Sequence, residues 1–372
     1  MRRALHAAAG ALVLAAAVVI PSGRAMADGI RDQQWYLKAL KVSEAHAIST
    51  GSGVTVAVID SGVAPHQDLK GNLLAGYNFA IAKPDGRTDT EGHGTNMAGL
   101  IAGRGRGSTG ILGIAPSAKI LPLKGGNRDN FDSDIIAEAI DYAVAHKAQV
   151  INASLKAAPS IKLLKAVKDA NAAGVVVVGA SGNDGDTLVG YPAAASGALG
   201  VGATDKNGKH WADSTHGPTL QICAPGVDII TTGLRNKYTE ADGTSDSAAI
   251  VSGAAALVRA KFPQLSADEI IHRITATADD NGTPGRDDNC GFGELNIVKA
   301  LTADVPPLSG SSSASPSAST VAPAPAASTD VAAPPSAEKK GGSAPLIVGV
   351  VVVVLLVAGL VGFVAVRRQR RV

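Results

Sequence analysis

Two short runs, Val54-Thr55-Val56-Ala57-Val58-Ile59 and Val175-Val176-Val177-Val178, are apolar almost throughout. Strands of that kind are buried on both faces, a situation found in mostly parallel sheets with helices packed above and below. The rest of the stretch 28–304 repeats the theme. Further strands are predicted at Lys119–Pro122, Gln149–Ala153, Leu199–Ala203 and Asp228–Thr231. Helical patterns fall between and after them, at Ser133–His146, Ile161–Ala173, Ser245–Phe262 and Ser266–Ala276. In the first of these, Ile135, Ile136, Ala139, Ile140 and Ala143 recur at helical spacing and give one apolar face. Ser133 and Ser160 stand where N-caps belong. The alternation predicts one α/β domain with a mostly parallel sheet.

The two ends of the chain predict its address. Residues 1–27 combine a charged start (Arg2, Arg3), an apolar middle from Ala7 to Ile20 and the small-x-small signal Ala25-Met26-Ala27, as in a secretory signal peptide. Residues 345–366 are apolar, and Leu346 to Val366 carry no charge. As a helix that run spans ~31 Å, enough for a bilayer core of ~30 Å. Four arginines in the tail 367–372 follow directly, and such clusters stay cytoplasmic. Between domain and helix, residues 305–344 are rich in Pro, Ala and Ser and lack periodic bulky apolar residues. They read as a tether, with a reach of ~35 Å as a flexible coil. The expected topology places the domain outside the cell membrane, held by a single-pass C-terminal helix.

A formal net charge of +2 over 372 residues offers no basic patch, which argues against nucleic acid as a partner. The two cysteines, Cys223 and Cys290, fall in the exterior domain, where disulfides persist. One bridge between them is the favoured reading, with two buried free thiols as the alternative; neither has the paired spacing of a zinc site.

Three segments each present one reactive side chain: Val-Ala-Val-Ile-Asp-Ser-Gly around Asp60, Gly-His-Gly-Thr at His93 and Gly-Thr-Ser at Ser245. Asp60 follows a buried strand, whereas His93 and Ser245 each precede an apolar helical run, and functional groups in open α/β sheets collect at such junctions. An acid, an imidazole and a hydroxyl suit acyl transfer: Ser245 as nucleophile, His93 as base, Asp60 orienting the imidazole. Such chemistry also needs donors for the developing oxyanion. Asn183, in Ser181-Gly182-Asn183-Asp184-Gly185 after the strand at 175–179, offers a side-chain amide, and the Ser245 N–H a second donor. Ser247 reads as a structural hydroxyl. The histidines at 46, 66, 146, 210, 216 and 272 lack such flanks and read as surface or packing residues.

Val58-Ile59-Asp60-Ser61-Gly62, Gly92-His93-Gly94-Thr95, Gly182-Asn183 and Gly243-Thr244-Ser245 together resemble the signatures of the subtilisin-like serine proteases, the subtilases. Gly113-Ile114-Ala115-Pro116, Val150-Ile151-Asn152-Ala153-Ser154-Leu155, Gly190-Tyr191-Pro192 and Ala224-Pro225-Gly226 extend the likeness over roughly 33–300. The resemblance implies a three-layer subtilisin-like α/β fold and peptide-bond hydrolysis. It assigns the acid to Asp60, the base to His93, the oxyanion amide to Asn183 and the nucleophile to Ser245. It also suggests that Ser154, Leu155 and Gly182 line the substrate cleft. The ensemble of signal peptide, domain, tether and terminal helix, with only 28–53 ahead of the first strand, is similar to the mycosins. These are membrane-anchored proteases associated with type VII secretion in actinobacteria.

Four departures from the family pattern stand out. Asn96 follows Thr95 where a second histidine is common, and Asp246 replaces the methionine after the nucleophile, with Ala249 and Ile250 replacing proline and histidine. Lys156 stands where glycine usually follows Ser-Leu. Many subtilases bind calcium before Gly-Ile-Ala-Pro; here Arg104 and Arg106 occupy that loop, unsuited to a cation, and Asp68 reads as a solvated loop carboxylate. No metal and no cofactor is expected. The leading expectation is a membrane-tethered endopeptidase acting on protein or peptide substrates, with a type VII secretion membrane complex as partner. The alternatives are a scaffold of such a complex, with proteolysis secondary, and a general surface scavenging protease.

Overall fold

The computed structural model describes residues 29–126 and 131–308. Its centre is a seven-stranded sheet built from β1 (Thr55–Asp60), β2 (Tyr77–Asn78), β5 (Lys119–Lys124), β6 (Val150–Ala153), β7 (Val176–Ala180), β8 (Ala198–Thr204) and β9 (Ile222–Pro225), in the order β2-β5-β1-β6-β7-β8-β9. Every neighbouring pair runs parallel. The C-terminal ends of the strands therefore share one edge.

Period-two alternation divides each buried strand between two cores. Val56 and Val58 of β1, with Val176 and Val178 of β7, enter one cluster, while Ala57, Ile59 and Val177 enter the other. The first cluster is closed by α1 (Trp35–Ala39), α2 (Val42–His46), α3 (His93–Ala102), α6 (Thr244–Lys261), α7 (Ala267–Ala276) and α8 (Ile297–Thr302). The second is closed by α4 (Ser133–Ala145) and α5 (Ile161–Ala172). These are the three layers expected. Each large side chain so buried contributes ~1.5–3 kcal/mol. Helix α6 is buried along nearly its whole length because its small residues, Ala248, Ala249, Ser252 and Ala254–Ala256, let it lie between the sheet and α3.

Some expectations shift. The run at 228–231 does form a strand, β10 (Ile229–Thr232), but it pairs antiparallel with β11 (Tyr238–Ala241) outside the main sheet. The outermost parallel position belongs instead to β9, which pairs with β8. A second antiparallel pair joins β3 (Arg104–Arg106) to β4 (Thr109–Leu112). Ser160 caps α5, accepting from the Leu163 N–H at 3.1 Å. At α4 the cap is Asp132, which accepts from Asp134 and Ile135, and Ser133 is the first helical residue. Its hydroxyl donates to the Ala158 carbonyl instead.

Cys223 of β9 is bonded to Cys290, with their Cα atoms 5.0 Å apart, tying the sheet edge to the segment before α8. Among the described residues no helix is long and apolar enough to cross a membrane. The predicted signal peptide 1–27, the linker beyond 308, the apolar segment 345–366 and the tail 367–372 lie outside the described residues.

Candidate active site

Asp60 is the last residue of β1 and His93 the first of α3. Bringing a helix start against a strand end demands a missing side chain. A Cβ on Gly94 would lie 2.0 Å from the Gly62 carbonyl oxygen and 3.0 Å from Asp60 Cβ. With glycine there, His93 Nδ1 comes within 2.9 Å of both Asp60 carboxylate oxygens. Asp60 is 1% exposed and also accepts from the Ser61 N–H at 2.7 Å. A carboxylate only accepts, so Nδ1 carries the hydrogen, and in the neutral ring Nε2 is the acceptor.

The first turn of α3 rests on Asp89, a buried carboxylate that the sequence reading missed. Its Oδ1 accepts from the Glu91 and Gly92 N–H groups and from the Ser61 hydroxyl. Its Oδ2 accepts from the Thr95 N–H and hydroxyl. Ser61 in turn accepts from the Gly94 N–H. The signal was present as Asp-Thr-Glu-Gly before His93, since aspartate favours bonds to backbone N–H groups two and three residues on.

Ser245 is the second residue of α6, where the helix N-terminus places partial positive charge beside its hydroxyl. Its Oγ donates to the Ser154 carbonyl at 3.3 Å, and Ser154 Oγ donates to the Ser245 carbonyl at 2.8 Å. Thus the segment after β6 and the start of α6 are joined directly. Asn183 lies beyond β7. Its amide oxygen accepts from both the N–H and the hydroxyl of Thr244, each at 2.9 Å. With the oxygen occupied, the amide NH2 is the end left to serve the cleft.

His93, Asn183 and Ser245 line a cavity of about 260 Å³ together with Ser154, Leu155, Gly182, Lys156 and Phe131. The same three also line a second cavity of about 270 Å³, with Asn96, Met97, Glu91, Glu240 and Asp246. The nucleophile candidate therefore stands between two neighbouring hollows, one on each side of it. All seven site residues singled out in the sequence come to this place, Asp60 from behind the imidazole. Asp246 lines the second hollow at 3% exposure. Ser247 donates to the carbonyls of Ala224 and Pro225, in keeping with a structural hydroxyl.

Asp68 is not a solvated carboxylate. It is fully buried, accepts from the Ile111 N–H at 2.9 Å and lies 3.5 Å from Arg106 Nε. The loop before Gly113 folds back over it, which sequence spacing does not reveal. Among the described residues no three His, Cys, Asp or Glu side chains converge as a metal site requires.

A sequence model of the subtilase family (peptidase S8) matches residues 51–293. The thermostable alkaline protease of Halalkalibacterium halodurans is 38% identical over 253 residues, covering 67% of this chain and 69% of that protein. Among solved structures, MycP1 with the N-terminal propeptide removed aligns with a TM-score of 0.67 at 33% identity, covering 73% of this chain and 98% of that one. The MycP3 protease from the type VII (ESX-3) secretion system aligns with a TM-score of 0.63 at 32% identity, covering 73% and 88%.

Proposed function

The chain belongs to the subtilase family and is a subtilisin-like serine endopeptidase, and from that premise we propose that Ser245, His93 and Asp60 carry its chemistry, with Asn183 in the oxyanion hole. The observation that carries this assignment is the 2.9 Å contact of His93 Nδ1 with both Asp60 oxygens, on an imidazole that shares one cavity with Ser245 and Asn183. In the proposed cycle His93 Nε2 takes the Ser245 hydroxyl proton as Oγ attacks the scissile carbonyl carbon. The Asn183 amide and the Ser245 N–H receive the oxyanion. His93 then gives the proton to the leaving amine, and water releases the acyl group by the same steps.

The finer reading is a protease working outside the cytoplasm, tethered by the apolar segment 345–366 and acting within a type VII secretion system. The end segments of the sequence and the likeness to MycP1 and MycP3 support it. A serine-directed phosphonate on the purified ectodomain tests the chemistry. Covalent mass is expected on Ser245 and absent in Ser245→Ala; no reaction of the wild type, or modification elsewhere, removes the assignment. Expression of Ser245→Ala in cells tests the role. If the inert chain supports secretion fully, scaffolding replaces proteolysis as its contribution.

A further inference from the structure

Helix α3, which carries His93, also contributes Asn96 and Met97 to the second hollow and nothing further to the first. On the catalytic assignment above, the side of the cleft where α3 adds Asn96 and Met97 beside His93 is taken as that of the leaving amine, and the first hollow as that of the acyl side.

The first hollow has two walls. One is the segment after β6, with Ser154, Leu155 and Lys156; the other is the end of β7 and the segment after it, with Ala180, Gly182, Asn183 and Asp184. Gly190 and Tyr191 close the gap between them, since Gly190 N–H donates to Ser181 O and Ala157 N–H to Tyr191 O, each at 2.9 Å. A side chain descending between the walls would meet that floor. The space is already taken. A Cβ on Gly190 would lie 2.4 Å from Lys156 Cγ, and one on Gly182 would lie 3.3 Å from Lys156 Cδ. The lysine stem thus lies along the floor and touches both walls. Its ammonium reaches Asp184 at 2.6 Å and Asp186 at 3.8 Å. Lys156 and Asp184 are 37% and 60% exposed, so that ion pair is weak and the methylene stem is held chiefly by packing.

We propose that Lys156 sets the acyl-side specificity of the cleft by filling its floor, so that the residue before the scissile bond must carry a short side chain such as Ala or Ser. Deletion of the stem opens room between Gly182 and Gly190 for a ring. One methylene of fit in an apolar pocket is worth about 10-fold to 200-fold in discrimination.

The test is a set of peptides differing only at the residue before the scissile bond, cleaved by the intact ectodomain. The wild type is expected to favour Ala over Phe by about tenfold or more in kcat/KM. Lys156→Gly is expected to move the Phe-to-Ala ratio toward Phe by a similar factor. Lys156→Met, which keeps the stem and loses the charge, is expected to keep the wild-type ratio. Equal cleavage of Phe and Ala by the wild type overturns the inference, as does a Lys156→Gly ratio that does not move. A ratio altered equally by Met and Gly overturns the steric account. Should Lys156→Gly fail to fold, the wild-type preference and the Met variant still decide. Phosphonate labelling separates the two levels: a chain that labels at Ser245 without preferring Ala keeps its chemistry and loses this specificity. A chain that neither labels nor cleaves loses both.

Discussion

At Asn183 the two ends of one amide have separate duties. The oxygen is held by the N–H and hydroxyl of Thr244, so the orientation of the NH2 end is set by the residue that precedes the nucleophile. If that NH2 receives the oxyanion, Asn183→Ala should lower kcat by about 10²–10³-fold with little change in KM. Asn183→Asp tells donation from anchoring, because a carboxylate still accepts from Thr244 but cannot donate. Steady-state kinetics should show the Asp variant at least as impaired as Ala; near-wild-type turnover would reduce Asn183 to a brace. The sequence singled out Asn183 and His93 partly because each adjoins a glycine, and the structure shows what one of these glycines allows, Gly94 closing up on Asp60. Asp68 was not legible. Its burial depends on the loop carrying Gly110 and Ile111 folding over it, and nothing in its own neighbours announces that.

At the scale of elements, α3 begins where it does because Asp89 satisfies N–H groups that a helix start leaves open. Five donors converge on its two oxygens, so Asp89→Asn must turn an NH2 group toward at least one of them. The expected cost is about 2–3 kcal/mol in urea unfolding, with a fall in kcat as His93 loses its seat. Unchanged stability would mean that the turn holds without this carboxylate. The central strands and the helices α4 to α7 were readable because long apolar runs and helical spacing leave few alternatives. Strand β9 was not, since Ile222-Cys223-Ala224-Pro225 is short and ends in a proline, and only its pairing with β8 makes it a strand. The neighbouring run at 229–232 has stronger strand composition, yet its partner is β11, a choice that tertiary packing makes. Asp132 displaced Ser133 as a cap by the same kind of contest, its carboxylate being the better acceptor for two N–H groups.

Over the whole molecule, three histidines away from the cleft resist protonation more than a free imidazole does. Burial, first of all, pushes His46, His66 and His210 below the usual imidazole range, against the raising influence of the Ile114 carbonyl, Asp68 and Asp287 respectively. At His66 the surroundings pull both ways: Nδ1 accepts from the Asp68 N–H at 3.1 Å and Arg106 stands nearby, both disfavouring a second proton, while the Lys237 carbonyl, 3.1 Å from Nε2, favours it less than burial opposes it. A second proton would turn the accepting nitrogen into a donor aimed at a donor. With folded values below the unfolded 6.5, the unfolded chain takes up protons first as pH falls, so stability is full above 6.5 and declines below it. Glu294 acts in the opposite sense, because burial raises it above 4.5 and the folded state gains its proton first. The lowered carboxyls of Asp186, Asp205 and Asp279 lose their contribution only as pH falls through values below 3.8. Between pH 6.5 and 5 three groups therefore oppose one, and the melting temperature should be lower at pH 5 than at 7.5. His66→Asn keeps an acceptor for Asp68 N–H and removes the titration, so its melting temperature should change less over the same interval. A wild type equally stable at both pH values, or a variant with the same dependence, would show that these rings take up their protons as readily in the fold as in the open chain.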